Sequence, residues 1–157
     1  MGRRIIAAAV VVIRASGHFI GASWSVQFRW MQPLGNELRS GLRLSSNART
    51  AHAERLIASR AARAYCLEFL ARCTLYTSAE PCAMRAGAIY WAGTGRVVYG
   101  QSEKALKQQT GAHEENPTLD LPCGLVFAAG QWPTEVLGPL LEDEAARLQA
   151  DFWKAKG

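Results

Sequence analysis

Two short stretches of the chain carry residue types that could do hydrolytic chemistry together. The first is His52-Ala53-Glu54, and the second is Pro81-Cys82. Histidine and cysteine are residue types that bind zinc, and a nearby carboxylate is a type that transfers protons. Either stretch alone is common at the start of a helix for structural reasons. Their combination in one chain indicates metal-assisted hydrolysis.

The residues that flank these stretches carry a specific resemblance. Residues 47–54 read Asn-Ala-Arg-Thr-Ala-His-Ala-Glu, which resembles the Asn-Asp-Pro-Thr-Ala-His-Ala-Glu run of cytidine-deaminase-like nucleobase deaminases. Residues 77–84 read Thr-Ser-Ala-Glu-Pro-Cys-Ala-Met, and residues 87–92 read Gly-Ala-Ile-Tyr-Trp-Ala; both resemble the second motif of that family. The Ile-Tyr-Trp-Ala sequence at residues 89–92 resembles that of bacterial guanine-deaminase-like nucleoside deaminases more closely than that of tRNA adenosine deaminases. The resemblance is strong from about residue 47 to residue 153 and weak before it.

The resemblance implies a zinc-dependent hydrolytic deaminase of a nucleobase or nucleoside, with a guanine-type substrate preferred. His52 and Cys82 would be zinc ligands, and the zinc-bound water would ionise near neutral pH. Glu54 would carry a proton from that water to the base and then to the leaving ammonia. Four further positions correspond to substrate-binding residues in this interpretation: Asn47, Trp91, Phe152 and Trp153. For Trp91 a core or dimer contact is the alternative, and for the last two an apolar anchor of the final helix.

Arg85 departs from the family pattern. It lies three residues after Cys82, one turn along the same helix face, where the family has its second zinc-ligand cysteine. A guanidinium cannot lose its proton in a protein and cannot bind zinc. We therefore expect Zn2+ binding to be impaired and Arg85 to pair with Glu54. His113 is a candidate replacement ligand.

Three classes of function remain open on the sequence. The first is a working zinc deaminase with a rearranged third ligand. The second is a catalytically dead relative that serves as a binding or oligomerisation module. The third is a basic RNA-binding protein, because residues 1–79 hold 11 arginines, no lysine and three acidic residues within a chain of net charge +5. A biased coding sequence explains the same arginines without any function.

The start of the chain has two interpretations. Residues 5–13 form an apolar run after Arg3 and Arg4, which is typical of a signal peptide or of a buried strand. The run is too short for a membrane span, which needs about 20 residues. The residues alone leave both interpretations open. The family's sheet requires a hairpin here, so residues 5–22 are interpreted as two strands and the location as cytoplasmic, which suits four scattered cysteines.

The remaining elements follow from spacing and helix-end signals. We expect a helix that Thr50 caps and that runs to about Tyr65, followed by a strand at 74–77. Pro81 opens a helix that ends at Gly93, and a strand at 96–100 completes a parallel βαβ unit. Beyond it, residues 101–122 are polar and turn-rich, a strand is expected at 124–127 or 134–137, and a closing helix at 140–153.

The expected fold is α/β, a cytidine-deaminase-like three-layer α/β/α sandwich with a mixed sheet of about five strands. Residues 1–157 are interpreted as a single deaminase-like domain that lacks the family's leading helix and has an extra loop at 27–46. The helix after Pro81 is apolar nearly all round, which predicts a homodimer. The other expected partner is a small nucleobase or nucleoside; nucleic acid is possible and a membrane is not expected.

Overall fold

The structure, a computed structural model of the 157-residue chain, describes residues 10–15, 18–23, 50, 52–110 and 119–147. In chain order the elements are β1 (Val10–Ala15), β2 (His18–Ser23), α1 (Ala53–Ala64), α2 (Leu67–Leu70), β3 (Thr74–Ala79), α3 (Ala83–Ala92), β4 (Arg96–Gln101), α4 (Glu103–Thr110), α5 (Cys123–Ala128) and β5 (Glu135–Leu137). Residues 142–147 are also helical.

The strands form one sheet in the order β2-β1-β3-β4-β5. Strand β1 is antiparallel to both β2 and β3, whereas β3, β4 and β5 are parallel to one another. The antiparallel pairing of β1 with β2 agrees with the hairpin interpretation of the N-terminal segment. The parallel strands with helices between them confirm the α/β class.

The central unit is β3, α3 and β4, and its predicted parallel βαβ arrangement is confirmed. Strand β4 alternates in burial, with Val97, Tyr99 and Gln101 buried, as expected of a strand with one face against the core. Helix α3 ends at Gly93, whose φ of 78° is left-handed. A side chain at Gly93 would also collide with Leu67, because a Cβ atom would lie 2.1 Å from its Cδ1.

Two predicted helix starts are wrong by a few residues. Helix α1 has His52 rather than Thr50 as its N-cap, and no side chain caps it. Helix α3 has Cys82 as its N-cap, so Pro81 lies before the helix and not at its first position. The two predicted zinc ligands therefore both occupy N-cap positions, where backbone N–H groups and the helix dipole favour negative charge.

The segment expected to be turn-rich contains helix α4, which the prediction missed. Leu106 is its only fully buried apolar residue, so the helical pattern in the sequence is weak. The Ser102 hydroxyl caps it by accepting a hydrogen bond from the Ala105 N–H at 3.2 Å. Of the two alternatives for the next strand, the later one is confirmed as β5, and residues 123–128 are helical instead.

The hydrophobic core lies between the sheet and helices α1, α3 and α5. Its fully buried residues include Ala58, Leu75, Ala86, Ile89, Val97 and Cys123. No helix in the described part of the chain is long and apolar enough to cross a membrane. The predicted loop at 27–46 and the last part of the predicted closing helix lie outside the described residues.

Candidate functional site

The candidate site lies at the carboxyl ends of the parallel strands β3 and β4. These ends meet because Ala79 is opposite Gln101 in the register. The Glu80 N–H extends the pairing by donating to the Gln101 carbonyl at 2.7 Å. Helix α3 follows β3 through Cys82, and α4 follows β4 through Glu103, so both helices begin at one edge of the sheet.

A buried ion pair lies at the centre of the site. The Arg85 Nη1 atom is 2.7 Å from Glu54 Oε1, and the two side chains are 9% and 1% exposed. The expected pairing of Arg85 with Glu54 is therefore confirmed. A charged pair this deep is stable only if each charge retains its partner, because an unpaired buried charge costs several kcal/mol.

Arg85 also contacts Cys82, at the start of its own helix, and Glu103, at the start of α4. Its Nε atom donates a hydrogen bond to Cys82 Sγ at 3.3 Å, and its Nη2 atom lies 3.9 Å from Glu103 Oε2. Burial acts to lower the pKa of Arg85, but the charges of Glu54 and Cys82 outweigh burial and raise this pKa above its ordinary value. The guanidinium therefore stays charged inside the protein.

The Cys82 thiol lies in a cationic environment. Burial alone would raise its pKa, but a hydrogen bond with His52 and the positive charge of Arg85 lower the pKa to about 7. Cys82 also precedes the first helical residue of α3, where the helix dipole adds to the stabilisation of a thiolate. Cys82, His52 and Arg85 therefore form one electrostatic unit.

Two buried carboxylate oxygens in the site lack a hydrogen bond. The Thr77 hydroxyl donates to Glu54 Oε1 at 2.9 Å, but Glu54 Oε2 has no hydrogen-bond partner. Glu103 Oε2 is also buried without one. Burial raises the pKa of Glu103, and Arg85 opposes that rise. Arg85 forms an ion pair with each of these two carboxylates.

Glu80 is a functional-site neighbour that the sequence reasoning missed. Its Oε1 atom accepts from the Cys123 N–H at 2.8 Å, and its Oε2 atom accepts from the Glu103 N–H at 2.9 Å. Glu80 therefore holds the N-termini of α4 and α5 beside the site. The signal that could have found it is an acidic residue directly after a buried strand and before Pro81.

The structure brings together four of the predicted site residues and separates a fifth. His52, Glu54, Cys82 and Arg85 share the site. Trp91 lies in the last turn of α3 and is 80% exposed, so the length of the helix separates it from Cys82. Asn47, His113, Phe152 and Trp153 lie outside the described residues.

The donor set of the described site does not fit a catalytic zinc ion. Such an ion takes three protein ligands and a water molecule. His52 and Cys82 are the two suitable donors here, and the Sγ atom already accepts a hydrogen bond from Arg85. Within residues 52–110 and 119–147, no group of three or more His, Cys, Asp or Glu side chains could hold a metal ion.

Comparison with known proteins identifies the family. Residues 4–101 match the family described as the cytidine and deoxycytidylate deaminase zinc-binding region. The match covers more than half of the 157-residue chain, which therefore belongs to this family. The resemblance stated from the two sequence motifs is confirmed.

Two curated relatives and one solved structure illustrate the likeness. A protein of Schizosaccharomyces pombe named "Probable cytosine deaminase" is 44% identical over 84 residues, 54% of this chain and 52% of that protein. The guanine deaminase of Bacillus subtilis is 47% identical over 55 residues, 35% of each chain. This chain thus spans about half the length of the first relative and about a third of the second. A structure of guanine deaminase from Nitrosomonas europaea is similar with a TM-score of 0.61 over 93% of this chain and 72% of that chain; at 23% identity this shows the fold alone.

Proposed function

We propose that the chain is, by descent, a zinc-dependent hydrolytic deaminase of a nucleobase or nucleoside, and that its own metal site is impaired because Arg85 replaces a zinc ligand. The observation that carries this proposal is the 2.7 Å contact between Arg85 Nη1 and Glu54 Oε1. Deaminases of this family need the glutamate free to move protons. In this chain the guanidinium of Arg85 forms an ion pair with that carboxylate.

The position of Arg85 affects the ligands as well as the proton carrier. Its Nε atom donates to the sulfur of Cys82, so a metal ion at Cys82 would face a positive charge 3.3 Å from its ligand atom. His52 and Cys82 remain in place but lack a third donor among the described residues. The chain therefore retains the scaffold of a deaminase and has lost part of its metal chemistry.

A guanine-type base is the proposed substrate class of the ancestral site. The Ile-Tyr-Trp-Ala motif at residues 89–92 supports this substrate class. The 47% identity to a guanine deaminase over 55 residues supports it as well. The relative of Schizosaccharomyces pombe is named for cytosine, so purines and pyrimidines both occur among the names of similar proteins. Catalytic Glu54 and ligands His52 and Cys82 belong to this proposal, as do the substrate contacts Asn47, Phe152 and Trp153, whereas Trp91, at the far end of the helix from Cys82, is assigned to the dimer contact.

The proposal includes the state of the whole domain. We infer a three-layer α/β/α sandwich with a five-stranded mixed sheet and a homodimer through α3, where Ile89 is buried and Trp91 is 80% exposed at the helix end. A second copy would cover that indole. A cytoplasmic location is supported by four cysteines that are all free thiols.

Metal analysis of the purified protein tests the proposal. After dialysis against a weak chelator, the unmodified protein is expected to hold no zinc, whereas Arg85→Cys is expected to hold one zinc per chain because it supplies the third ligand. Arg63→Cys is the matched control, since it adds a thiol on the exposed end of α1 and should bind none. One zinc per chain in the unmodified protein would refute the proposal and direct the search for a third ligand to His113.

A further inference from the structure

One side chain links three separate elements at the site. Arg85 in α3 contacts Glu54 in α1, Cys82 at the helix start and Glu103 in α4. The Arg85 residue is 8% exposed, and Glu54 and Glu103 are 1% and 7% exposed. A guanidinium presents its N–H groups in a fixed planar fork, so it can hold several acceptors at once. These contacts tie the N-termini of α1, α3 and α4 to one point.

On the proposed function, Arg85 carries the same net charge as the part of the metal centre that it would replace. In zinc deaminases of the kind that has two cysteine ligands, the ion and the second thiolate together contribute one net positive charge. The guanidinium of Arg85 alone contributes the same charge. The neighbouring acceptors, Glu54 and Cys82, are retained in this chain. On this charge count, an arginine at position 85 removes a zinc ligand and supplies the positive charge that a bound zinc ion would provide.

We propose that Arg85 is the resident cation of this site, that it holds Glu54, Cys82 and Glu103 together in place of a metal ion, and that folding of the domain depends on Arg85 and is independent of zinc. This inference deepens the proposed function, and rests on it in taking position 85 as a former ligand position. It assigns Arg85 a positioning role and not a catalytic one.

The buried carboxylate oxygens without a hydrogen bond show why a cation is required at this site. Glu54 Oε2 and Glu103 Oε2 are buried without hydrogen bonds. Without Arg85, both carboxylates would remain in the protein interior, and among the described residues no other ion pair to either is present. Breaking a buried pair by removing one partner is strongly destabilising, because the remaining charge keeps its desolvation penalty. Arg85 therefore stabilises the site by holding Glu54, Cys82 and Glu103 together.

Thermal unfolding of Arg85 variants tests the inference. Arg85→Met keeps an unbranched apolar stem and removes the guanidinium and its charge, and we expect it to lower the Tm by roughly 10 °C. Arg63→Met, on the exposed end of α1, is the matched control and should change the Tm by less than about 2 °C. Arg85→Lys keeps the charge but loses the fork, so its Tm should lie between that of the unmodified protein and that of Arg85→Met.

A second variant keeps the test decisive if Arg85→Met does not fold. The double variant Arg85→Met with Glu54→Gln removes both charges of the central pair, and we expect it to be more stable than Arg85→Met alone. Recovery of folded protein in the double variant supports the inference. A double variant that is less stable than Arg85→Met overturns it, because the lost stability would then come from packing and not from unpaired charge.

Zinc and chelator separate this inference from the proposed function. The Tm of the unmodified protein should be the same with added zinc and with excess chelator, whereas the Tm of Arg85→Cys should rise with zinc and fall with chelator. Zinc in the purified unmodified protein refutes the proposed function. An Arg85→Met Tm equal to that of Arg63→Met refutes the positioning role of Arg85, whatever the metal content is.

Discussion

Two buried carboxylates of the site, Glu54 and Glu80, are stabilised in different ways. Glu54 pairs with the guanidinium of Arg85 at 2.7 Å. Glu80 instead accepts hydrogen bonds from the backbone N–H groups of Glu103 and Cys123 at 2.9 and 2.8 Å. The first arrangement depends on a single side chain, so one substitution can create or abolish it. In the second, the donors belong to the backbone of two helices, so no side-chain substitution in those helices removes them.

The difference explains how the site can change its chemistry while the fold around it is kept. Helix N-termini stabilise a carboxylate through oriented N–H groups that no side-chain substitution removes. A side-chain cation can be exchanged for a metal ion or the reverse at one position. The contacts of Glu80 therefore depend on how the two helices are placed, whereas the contact of Glu54 depends on which side chain stands at position 85.

Substitution of Glu80 tests its hydrogen bonds with the backbone, and it is the substitution with the largest expected effect in this comparison. Glu80→Gln replaces one acceptor oxygen by an amide that faces an N–H donor, so we expect the free energy of unfolding to fall by about 3 kcal/mol. Urea unfolding measures the change. Glu135→Gln is the control, because its ion pair with Arg96 is half exposed and should cost less than about 1 kcal/mol. Equal losses in the two variants would show that Glu80 has no special role.

The two thiols nearest these carboxylates report the two environments. Burial and the negative charge of Glu80 raise the pKa of Cys123 above its ordinary value, whereas His52 and Arg85 lower the pKa of Cys82 to about 7 against the effect of burial. At pH 7 we expect alkylation of Cys82 to be at least ~30-fold faster than that of Cys123.

Peptide mapping after timed alkylation measures both thiol rates in one sample. The rate at Cys82 should rise from pH 6 to about pH 8 and then level off as the thiol becomes fully ionised. Cys66 is exposed and serves as the internal control for reagent access. A Cys82 rate that continues to rise tenfold per pH unit above pH 8 would contradict the cationic environment assigned to it.

Glu142 extends the comparison to the surface and carries the smallest expected effect. Its Oε1 atom accepts from the N–H and the hydroxyl of Ser102 at 2.9 and 2.6 Å. These hydrogen bonds lower the pKa of Glu142 below its ordinary value, so the stability they add is present above the unfolded-state pKa and is lost as the pH falls through the folded-state pKa.

Because Glu142 is partly exposed, Glu142→Gln should cost less than about 0.5 kcal/mol at pH 7. The difference from the unmodified protein should disappear when urea unfolding is repeated at acidic pH. If Glu142→Gln lowered the free energy of unfolding as much as Glu80→Gln does, burial would not determine how much a hydrogen-bonded carboxylate contributes to the stability of this protein.

The sequence by itself determined the family, the βαβ unit and the four residues of the central cluster. The βαβ unit follows from local signals, namely a helix that ends at Gly93 and strands rich in Val and Tyr. The family and the four residues follow from the resemblance of the two motifs to known deaminases. The pairing of Arg85 with Glu54 also followed from the sequence, because a charge one helical turn from Cys82 must lie near the other helix start if the two motifs meet.

Only the tertiary structure decided which carboxylates surround Arg85 and how they are held. Glu80 and Glu103 meet because β3 and β4 are parallel and end at the same edge, 23 residues apart in the chain. Helix α4 has one buried apolar residue and gave no clear period, so its start at Glu103 was not predicted. Sequence patterns report contacts made within an element, whereas burial and pairing of charge depend on which element ends are brought together, and that is set by the packing of the sheet.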